Sequence, residues 1–355
     1  MSTFVVAEPA TVDLLPSRRR LALRLALVVA VLGALAFAVS SLPGLGEVRA
    51  RLSDASPGWL AAAALLQVLS CLAFVVAFRG VFCRRLPWRL SYEVGMAAQG
   101  TNVLLPSGGA GGLALAAWAL NRTGMPTERL ARRTVAFYVL TSSVNFFTAV
   151  IAGIALALAS GFAPQWTAGP ALAAALVIAA VLAVPRLAAR PRAGRRGQVL
   201  TALSAGIGDA VRLARAGNPL ILAGAIGFMV FDLLALGAAF AALGALPPLG
   251  VLAMAYVLGQ LGGLIPLPGG VGGADGGLIA ALALYGTPLG TAAAAVLAYR
   301  AFQLGLPALL GALAVVRLPR VLEHAPDVAT LCEPRVRESA PDVGGRRESR
   351  VAAAA

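Results

Sequence analysis

The chain has 355 residues, of which 59% are hydrophobic and 12% are charged, and its mean hydropathy is +0.84. Soluble proteins carry about 25% charged residues, so this composition excludes an ordinary water-soluble core and predicts a membrane protein. The net charge of +14 comes from arginines between apolar runs, which fits positive-inside topology better than nucleic-acid binding. Lysine is absent and alanine and glycine are abundant, which is typical of a bacterial protein from a high-GC genome.

Apolar runs follow one another along the chain, and about six are long enough to cross a ~30 Å hydrocarbon layer as helices. They lie near residues 21–43, 57–80, 133–158, 169–185, 219–243 and 288–316. Four shorter runs lie near 91–105, 108–120, 250–265 and 272–285. A Gly/Pro-rich break joins the members of each short pair, which predicts two broken or re-entrant helix pairs. The predicted fold class is an all-α polytopic membrane protein.

The distribution of arginine assigns the two sides of the membrane. The positive-inside rule places the arginine-rich segments in the cytoplasm. They are 18–24, 79–89, 122–133, 186–215 and the tail from Arg317. The chain then lies in the inner membrane of a bacterium, with both termini in the cytoplasm. With this assignment the second half of the chain repeats the order of helices in the first half, and each helix crosses the membrane in the opposite direction.

Two glycine-rich segments support this repeat. Leu105–Gly112 resembles Leu267–Gly273, and Pro106 and Pro268 are 162 residues apart. The same spacing places Gly124 on Gly286 without a gap. We therefore predict an inverted-topology repeat.

The predicted division of the chain follows from this repeat. Residues 1–20 form a cytoplasmic N-terminal segment, 21–158 the first membrane repeat and 159–318 the second. The second repeat includes a basic cytoplasmic loop at 186–217, where apolar residues at helical spacing predict a helix on the membrane surface or a packed linker helix. The polar tail 319–355 is expected to be disordered.

The two breaks are the first candidate substrate site. Glycine lets backbone approach a ligand, and proline leaves a carbonyl unpaired, so broken helices often face the substrate in transporters. The candidate residues are Asn102, Pro106, Gly108, Gly109, Pro268, Gly269 and Gly270. The alternative is close helix packing through small residues, as at Gly108 and Gly112 or Gly259 and Gly263.

Charged residues inside apolar runs form the second candidate site, because each costs about 2.5–3.5 kcal/mol on insertion scales. They are Asp232, Asp275 and Arg300, with Gln303 one turn after Arg300. In one interpretation Arg300 binds a lipid phosphate and a carboxylate takes part in ion coupling. In the other, Arg300 pairs with Asp232 or Asp275 only to neutralise both charges.

Other polar residues give weaker signals. Tyr138, Thr141, Ser142, Ser143 and Asn145 form a patch that either lines a polar path or makes hydrogen bonds between helices. Cys71, Cys83, Cys332 and the single histidine, His324, form no pattern that predicts a disulfide framework or a metal site. Without a nucleophile elbow, a Walker A sequence or an HExxH motif, we expect no enzyme activity and no cofactor.

Several of these motifs resemble the lysylphosphatidylglycerol synthase transmembrane region, also called the flippase-like family. The resemblance rests on Asn102 to Gly112, on Pro266 to Gly272 followed by Asp275, and on Tyr299-Arg300, and it covers roughly residues 20 to 318. It implies a membrane protein that handles lipids, by analogy with the region of aminoacyl-phosphatidylglycerol synthases associated with moving modified lipid between leaflets. Other relatives are associated with polyprenyl-linked sugars or hopanoids.

The sequence departs from the pattern of this family at two places. Asp275 stands where glutamate is usual, and residues 113–117 lack an arginine that often follows the first glycine cluster. The aminoacyl-transferase domain of the full synthases is also missing from the sequence, so we do not expect synthesis of lysyl-lipid.

We consider three functions. The first is a flippase-like transporter of an anionic phospholipid or lipid-linked intermediate, with membrane lipids, anionic or polyprenyl-linked, as its partners and no nucleic acid. The second is an ion-coupled transporter of a small solute that uses Asp232 or Asp275. The third is a non-transporting scaffold for a glycosyltransferase, in which the glycine clusters serve only for packing.

Overall fold

The computed structural model describes residues 46–104, 110–159, 164–187, 195–262 and 273–332, with scattered positions between 19 and 33. Its regular elements over these ranges are all helices, without a strand. They are α1 (Gly46–Ser53), α2 (Pro57–Phe82), α3 (Trp88–Leu104), α4 (Ala110–Arg122), α5 (Thr127–Leu158), α6 (Pro164–Leu187), α7 (Arg195–Arg215), α8 (Pro219–Ala242), α9 (Leu249–Gly262), α10 (Gly273–Leu284), α11 (Leu289–Glu323) and α12 (Val328–Cys332).

Long apolar helices confirm the predicted all-α polytopic membrane class. Among the described residues, α2, α5, α6, α8 and α11 are long and apolar enough to cross a membrane. The first predicted span, 21–43, lies largely outside the described residues. The short helices α3 and α4, and likewise α9 and α10, correspond to the predicted broken pairs, and they pack against each other within each pair. The breaks themselves, 105–109 and 263–272, are outside the described residues.

The same turn follows both broken pairs. Gly124 and Gly286, 162 residues apart, have φ angles of 96° and 89°, which glycine adopts without the steric cost other residues meet. The amide of Met125 donates to Leu120 O at 3.1 Å, and that of Thr287 donates to Leu282 O at 3.0 Å. These bonds close a glycine C-cap at the end of each pair.

Helix boundaries repeat with the same spacing. Helices α2 and α8 begin at Pro57 and Pro219, and α5 and α11 begin at Thr127 and Leu289, so both pairs of starts are 162 residues apart. The packing repeats too, since α3 lies on α11 and α9 lies on α5. These observations support a repeated structural unit, whereas the opposite orientation of its two copies in the membrane stays a prediction.

Among the described helices, α2 and α8 have the most extensive contact, and a glycine makes this possible. A Cβ atom added at Gly224 would stand 2.7 Å from Ala77 Cα and 2.9 Å from Ala73 O. The Ser70 hydroxyl donates across the same interface to Phe228 O at 2.8 Å. Small residues thus let the two helices pack almost backbone to backbone, as expected where lipid gives little hydrophobic drive for association.

Two hydrophobic cores include residues of this helix pair. One contains α3, α4 and the C-terminal part of α11, with Phe78 and Phe137 among its aromatic residues. The other contains α9, α10 and the N-terminal part of α11, and it includes Tyr256 and Tyr299. Helix α11 contributes residues to both cores.

The basic loop holds a packed helix. Segment 197–216 lies in α7, which packs on α5, and a Cβ at Gly206 would stand 3.1 Å from Arg132 O. Ile207 and Ala210 are buried in this contact, while Leu203 is 40% exposed. This arrangement favours the linker-helix interpretation of the loop.

The C-terminal region corrects two predictions. Residues 319–332 are not disordered, because α11 continues to Glu323 and α12 follows, with Val328 fully buried and its amide donating to Thr123 O at 2.7 Å. Cys83 and Cys332 form a disulfide, which the sequence analysis did not predict. The two cysteines are 249 residues apart in sequence, so their proximity depends on the tertiary fold. Residues 333–355 lie outside the described residues.

Candidate functional site

A buried carboxylate in the middle of α8 organises the candidate site. Asp232 is 4% exposed, and its Oδ2 accepts hydrogen bonds from Tyr256 Oη at 2.6 Å and Tyr299 Oη at 2.8 Å. Gln303 Nε2 lies 3.4 Å from the same oxygen. Helices α9 and α11 thus direct three donors at one side chain of α8. The donors offset part of the cost of placing a carboxylate in the membrane interior.

A second carboxylate lies beside the first. Asp275, in the first turn of α10, forms an ion pair with Arg300 Nε, and Arg300 Nη1 also donates to Gln303 Oε1. Arg300 is 8% exposed. Gln303 therefore contacts both the guanidinium of Arg300 and the carboxylate of Asp232. We call Asp232, Tyr256, Asp275, Tyr299, Arg300 and Gln303 the polar cluster.

The spacing of the residues on α11 explains how one helix serves both carboxylates. Tyr299 and Gln303 are four residues apart and lie on one face of the helix, whereas Arg300 is rotated by about 100° from Tyr299. Tyrosine has an apolar ring and a polar hydroxyl, so it can bury its ring in the second core and direct its hydroxyl to Asp232. Both tyrosines belong to that core.

The polar cluster has one more neighbour, in the first half of the chain. Gln67 of α2 is buried and lies beside the carboxylate of Asp232. Among the described residues, no hydrogen bond of good geometry reaches Asp232 Oδ1. With both carboxylates ionised the polar cluster carries one more negative than positive charge. It therefore has capacity for a further proton or cation.

Of the two predicted groups of site residues, the structure describes the second in full and brings its members together. Asp232, Asp275, Arg300 and Gln303 share the polar cluster, and the pairing predicted for Arg300 is with Asp275. Tyr256 and Gln67 were not predicted, and Tyr299 was noted only in the resemblance. A tyrosine or glutamine inside an apolar helix, which needs a hydrogen-bond partner when buried, was the available signal.

The first break shows a different use of its polar residue. Asn102 Oδ1 accepts from the amide of Gly112 at 2.7 Å, so Asn102 ties the end of α3 to the first turn of α4. This bond satisfies one of the free amides at a helix start. Pro106, Gly108, Gly109, Pro268, Gly269 and Gly270 lie outside the described residues.

Two hydroxyls of the polar patch of α5 hydrogen-bond to their own helix. Thr141 Oγ1 donates to Phe137 O at 2.8 Å, and Ser143 Oγ donates to Val139 O at 2.5 Å. Such bonds satisfy the hydroxyls locally, so these two residues need no partner on another helix.

A comparison with protein families gives a match over most of the chain. The family model described as Lysylphosphatidylglycerol synthase TM region matches residues 21–311, which includes the whole polar cluster. No curated protein matches the chain.

Proposed function

The chain belongs to the lysylphosphatidylglycerol synthase TM region family, and we propose that it is a flippase-like lipid transporter that moves an anionic phospholipid or lipid-linked intermediate between leaflets. Membership is consistent with a lipid-related membrane function, and the long apolar helices make the chain a multi-pass membrane protein. The specific transport activity is our proposal. We also propose that the protein lies in the bacterial inner membrane with both termini in the cytoplasm, and that it has no catalytic role.

The observation that carries the proposal is the buried arginine of the polar cluster. Arg300 lies about three turns into a helix long enough to span the membrane, and it is paired with Asp275. A guanidinium can bind two oxygens of a carboxylate or of a phosphate, so a lipid phosphate can take the place of Asp275. The exchange keeps the arginine paired, which avoids the cost of a lone buried charge.

The experiment measures flipping of fluorescent lipids in liposomes that contain the purified full-length chain. We expect an anionic phospholipid or a polyprenyl phosphate to flip faster than a zwitterionic lipid. The double variant Asp275→Asn/Arg300→Gln removes both members of the ion pair and leaves neither of them unpaired, and we expect it to lose this activity. Arg320→Gln removes an exposed positive charge from the same helix and serves as the matched control.

The outcomes separate transport from packing. Unchanged flipping by the folded double variant would assign the ion pair to structure alone and contradict the role of Arg300. If the wild-type chain flips none of the three lipids, lipid transport is contradicted. A scaffold for a partner such as a glycosyltransferase would then be the favoured function.

A second candidate function is ion-coupled transport of a small solute, and the buried Asp232 favours it. Ionisable residues at membrane depth are characteristic of proton relays, and two tyrosine hydroxyls hold this carboxylate in place. The discriminating variant is Asp232→Asn. Loss of a proton-gradient-driven uptake, with lipid flipping unchanged, would support this second function over the first.

A further inference from the structure

A long groove lies between α5, α6, α7 and α8. None of its lining residues belongs to the polar cluster, although α8 contributes to both. Its volume is about 830 Å³, and apolar side chains from all four helices line it. Examples are Phe147 and Ile151 of α5, Leu182 of α6 and Ile226 of α8, which are between 48% and 67% exposed. The groove is thus open on one side and presents hydrocarbon to the bilayer.

The dimensions of the groove fit a lipid chain. Its lining runs along α5 from Tyr138 to Ile151, which is about 20 Å at the rise of an α-helix. This length exceeds one leaflet of a ~30 Å hydrocarbon layer. Two of its polar lining residues already have acceptors, since Ser143 donates to Val139 O at 2.5 Å and Thr148 donates to Met229 Sδ at 3.2 Å. The wall therefore contacts a ligand mainly through apolar groups.

One end of the groove is basic. Arg215, in the last turn of α7, lines it, is exposed, and has no carboxylate partner among the described residues. One turn earlier, Arg212 pairs with the buried Asp209, and Arg132 Nε and Arg133 Nε of α5 lie 3.8 Å and 3.9 Å from Asp209 Oδ2. Arg132 Nη1 also lies 3.9 Å from Glu128 Oε1. These three arginines therefore share two carboxylates, and with Arg215 this end keeps an excess of positive charge.

We propose that this groove binds a diacyl phospholipid with an anionic headgroup, its phosphate at Arg215 and its chains along α5 and α8. The apolar walls match acyl chains, and the unpaired arginine beside an arginine-rich cluster matches a phosphate at the membrane surface. The lipid comes from the leaflet on the arginine-rich side of the protein. A zwitterionic lipid matches the walls but lacks the net charge that the basic end selects.

The groove also leads toward the polar cluster. Met229 is among its lining residues, and Asp232 follows three residues later on α8, a rise of about 4.5 Å. Resting on the proposed function, the groove is then the loading site from which the headgroup moves toward Arg300. Binding at Arg215 and transfer to Arg300 use different residues, so the two steps can be tested separately.

The experiment is photo-crosslinking of the full-length chain in nanodiscs with phosphatidylglycerol that carries a photoreactive group in one acyl chain, beside the same probe built on phosphatidylcholine. We expect the first probe to label peptides of α5 and α8 about fivefold more strongly than the second, which is the effect of one arginine at a membrane surface. Arg215→Gln should remove this preference. Arg186→Gln, an exposed arginine that does not line the groove, should keep it.

A second pair of variants tests the walls. Ile226→Trp fills the groove and should lower labelling by both probes, whereas Leu172→Trp, at an exposed position of α6 outside the groove, should not. Equal labelling by the two probes, or a preference that Arg215→Gln leaves intact, would overturn the proposal.

The polar cluster provides the control that separates binding from transport. The double variant Asp275→Asn/Arg300→Gln should keep the labelling of the groove while it loses flipping. Selective labelling without any flipping by the wild-type chain would leave the groove as a lipid site and reject the proposed function. Flipping without selective labelling would reject the groove and leave the proposed function standing.

Discussion

Tyr299 and Arg300 are consecutive residues of α11, yet their side chains bind different carboxylates. Tyr299 donates to Asp232 of α8, and Arg300 pairs with Asp275 of α10. Gln303, one turn further, joins the two interactions through its amide. A change at either carboxylate therefore alters a hydrogen bond or ion pair of α11. The polar cluster is a connected network rather than a set of independent contacts.

The first prediction concerns the hydroxyl of Tyr299. Tyr299→Phe removes one of the two close donors to Asp232 and leaves the ring in place. We expect the free energy of unfolding to fall by about 0.6–2 kcal/mol, the range for hydrogen bonds between membrane helices and for buried hydrogen bonds in general. Thermal unfolding in detergent measures the change. Tyr138→Phe, at a position 37% exposed, is the matched control, and an equal loss there would show that the effect is not specific to the hydrogen bond with Asp232.

The second prediction concerns the ion pair between Arg300 and Asp275. Asp275→Asn leaves the buried guanidinium of Arg300 without its carboxylate, and we expect a loss of about 3–5 kcal/mol in stability. Arg300→Gln removes the guanidinium beside Asp275 and should cost less, because the Asp275 side chain is 19% exposed. The double variant should recover most of this loss, because neither member of the pair remains. A double-mutant cycle of unfolding free energies gives the coupling. Additive losses would show that the two residues do not interact in the folded protein.

Part of the polar cluster was predictable from sequence and part was not. A charge in an apolar run is conspicuous, so Asp232, Asp275 and Arg300 were found without a structure. Which aspartate pairs with Arg300 depends on how α8, α10 and α11 cross, and spacing along one helix carries no information on that. Gln67 is on a helix more than 160 residues before Asp232, so only the tertiary fold makes them neighbours.

The fold, too, was predictable from sequence in part. Run length and the Gly/Pro breaks predicted the helices of the membrane region, because the thickness of the hydrocarbon layer sets their lengths. The short helix α12 is only five residues long, and its position depends on the burial of Val328 and on the contact with Thr123. Such a segment has no periodicity of its own, which is why a disordered tail was expected there instead.

The third prediction tests the disulfide that holds α12 in place. In the purified, denatured and unreduced chain, we expect a maleimide to label one cysteine of three, Cys71, because Cys83 and Cys332 are joined. Reduction should raise the number to three. Without reduction, Cys83→Ser should give two labels and Cys71→Ser should give none. Three labels in the unreduced wild-type chain would contradict the disulfide.

The fourth prediction concerns the crossing of α3 and α11, where two glycines meet. A Cβ atom at Gly100 would stand 2.7 Å from Gly311 Cα and 3.0 Å from Pro307 O, both of them backbone atoms that cannot rotate away. Gly100→Val must separate the two helices, and we expect a loss of at least 1–3 kcal/mol, the usual cost of overpacking. Gly276→Ala, in α10 with no atom within 4 Å of the added Cβ, is the control. It should leave stability unchanged or raise it by up to about 1 kcal/mol, because alanine favours the helix. If the two variants unfold at the same temperature, α3 and α11 do not cross at Gly100.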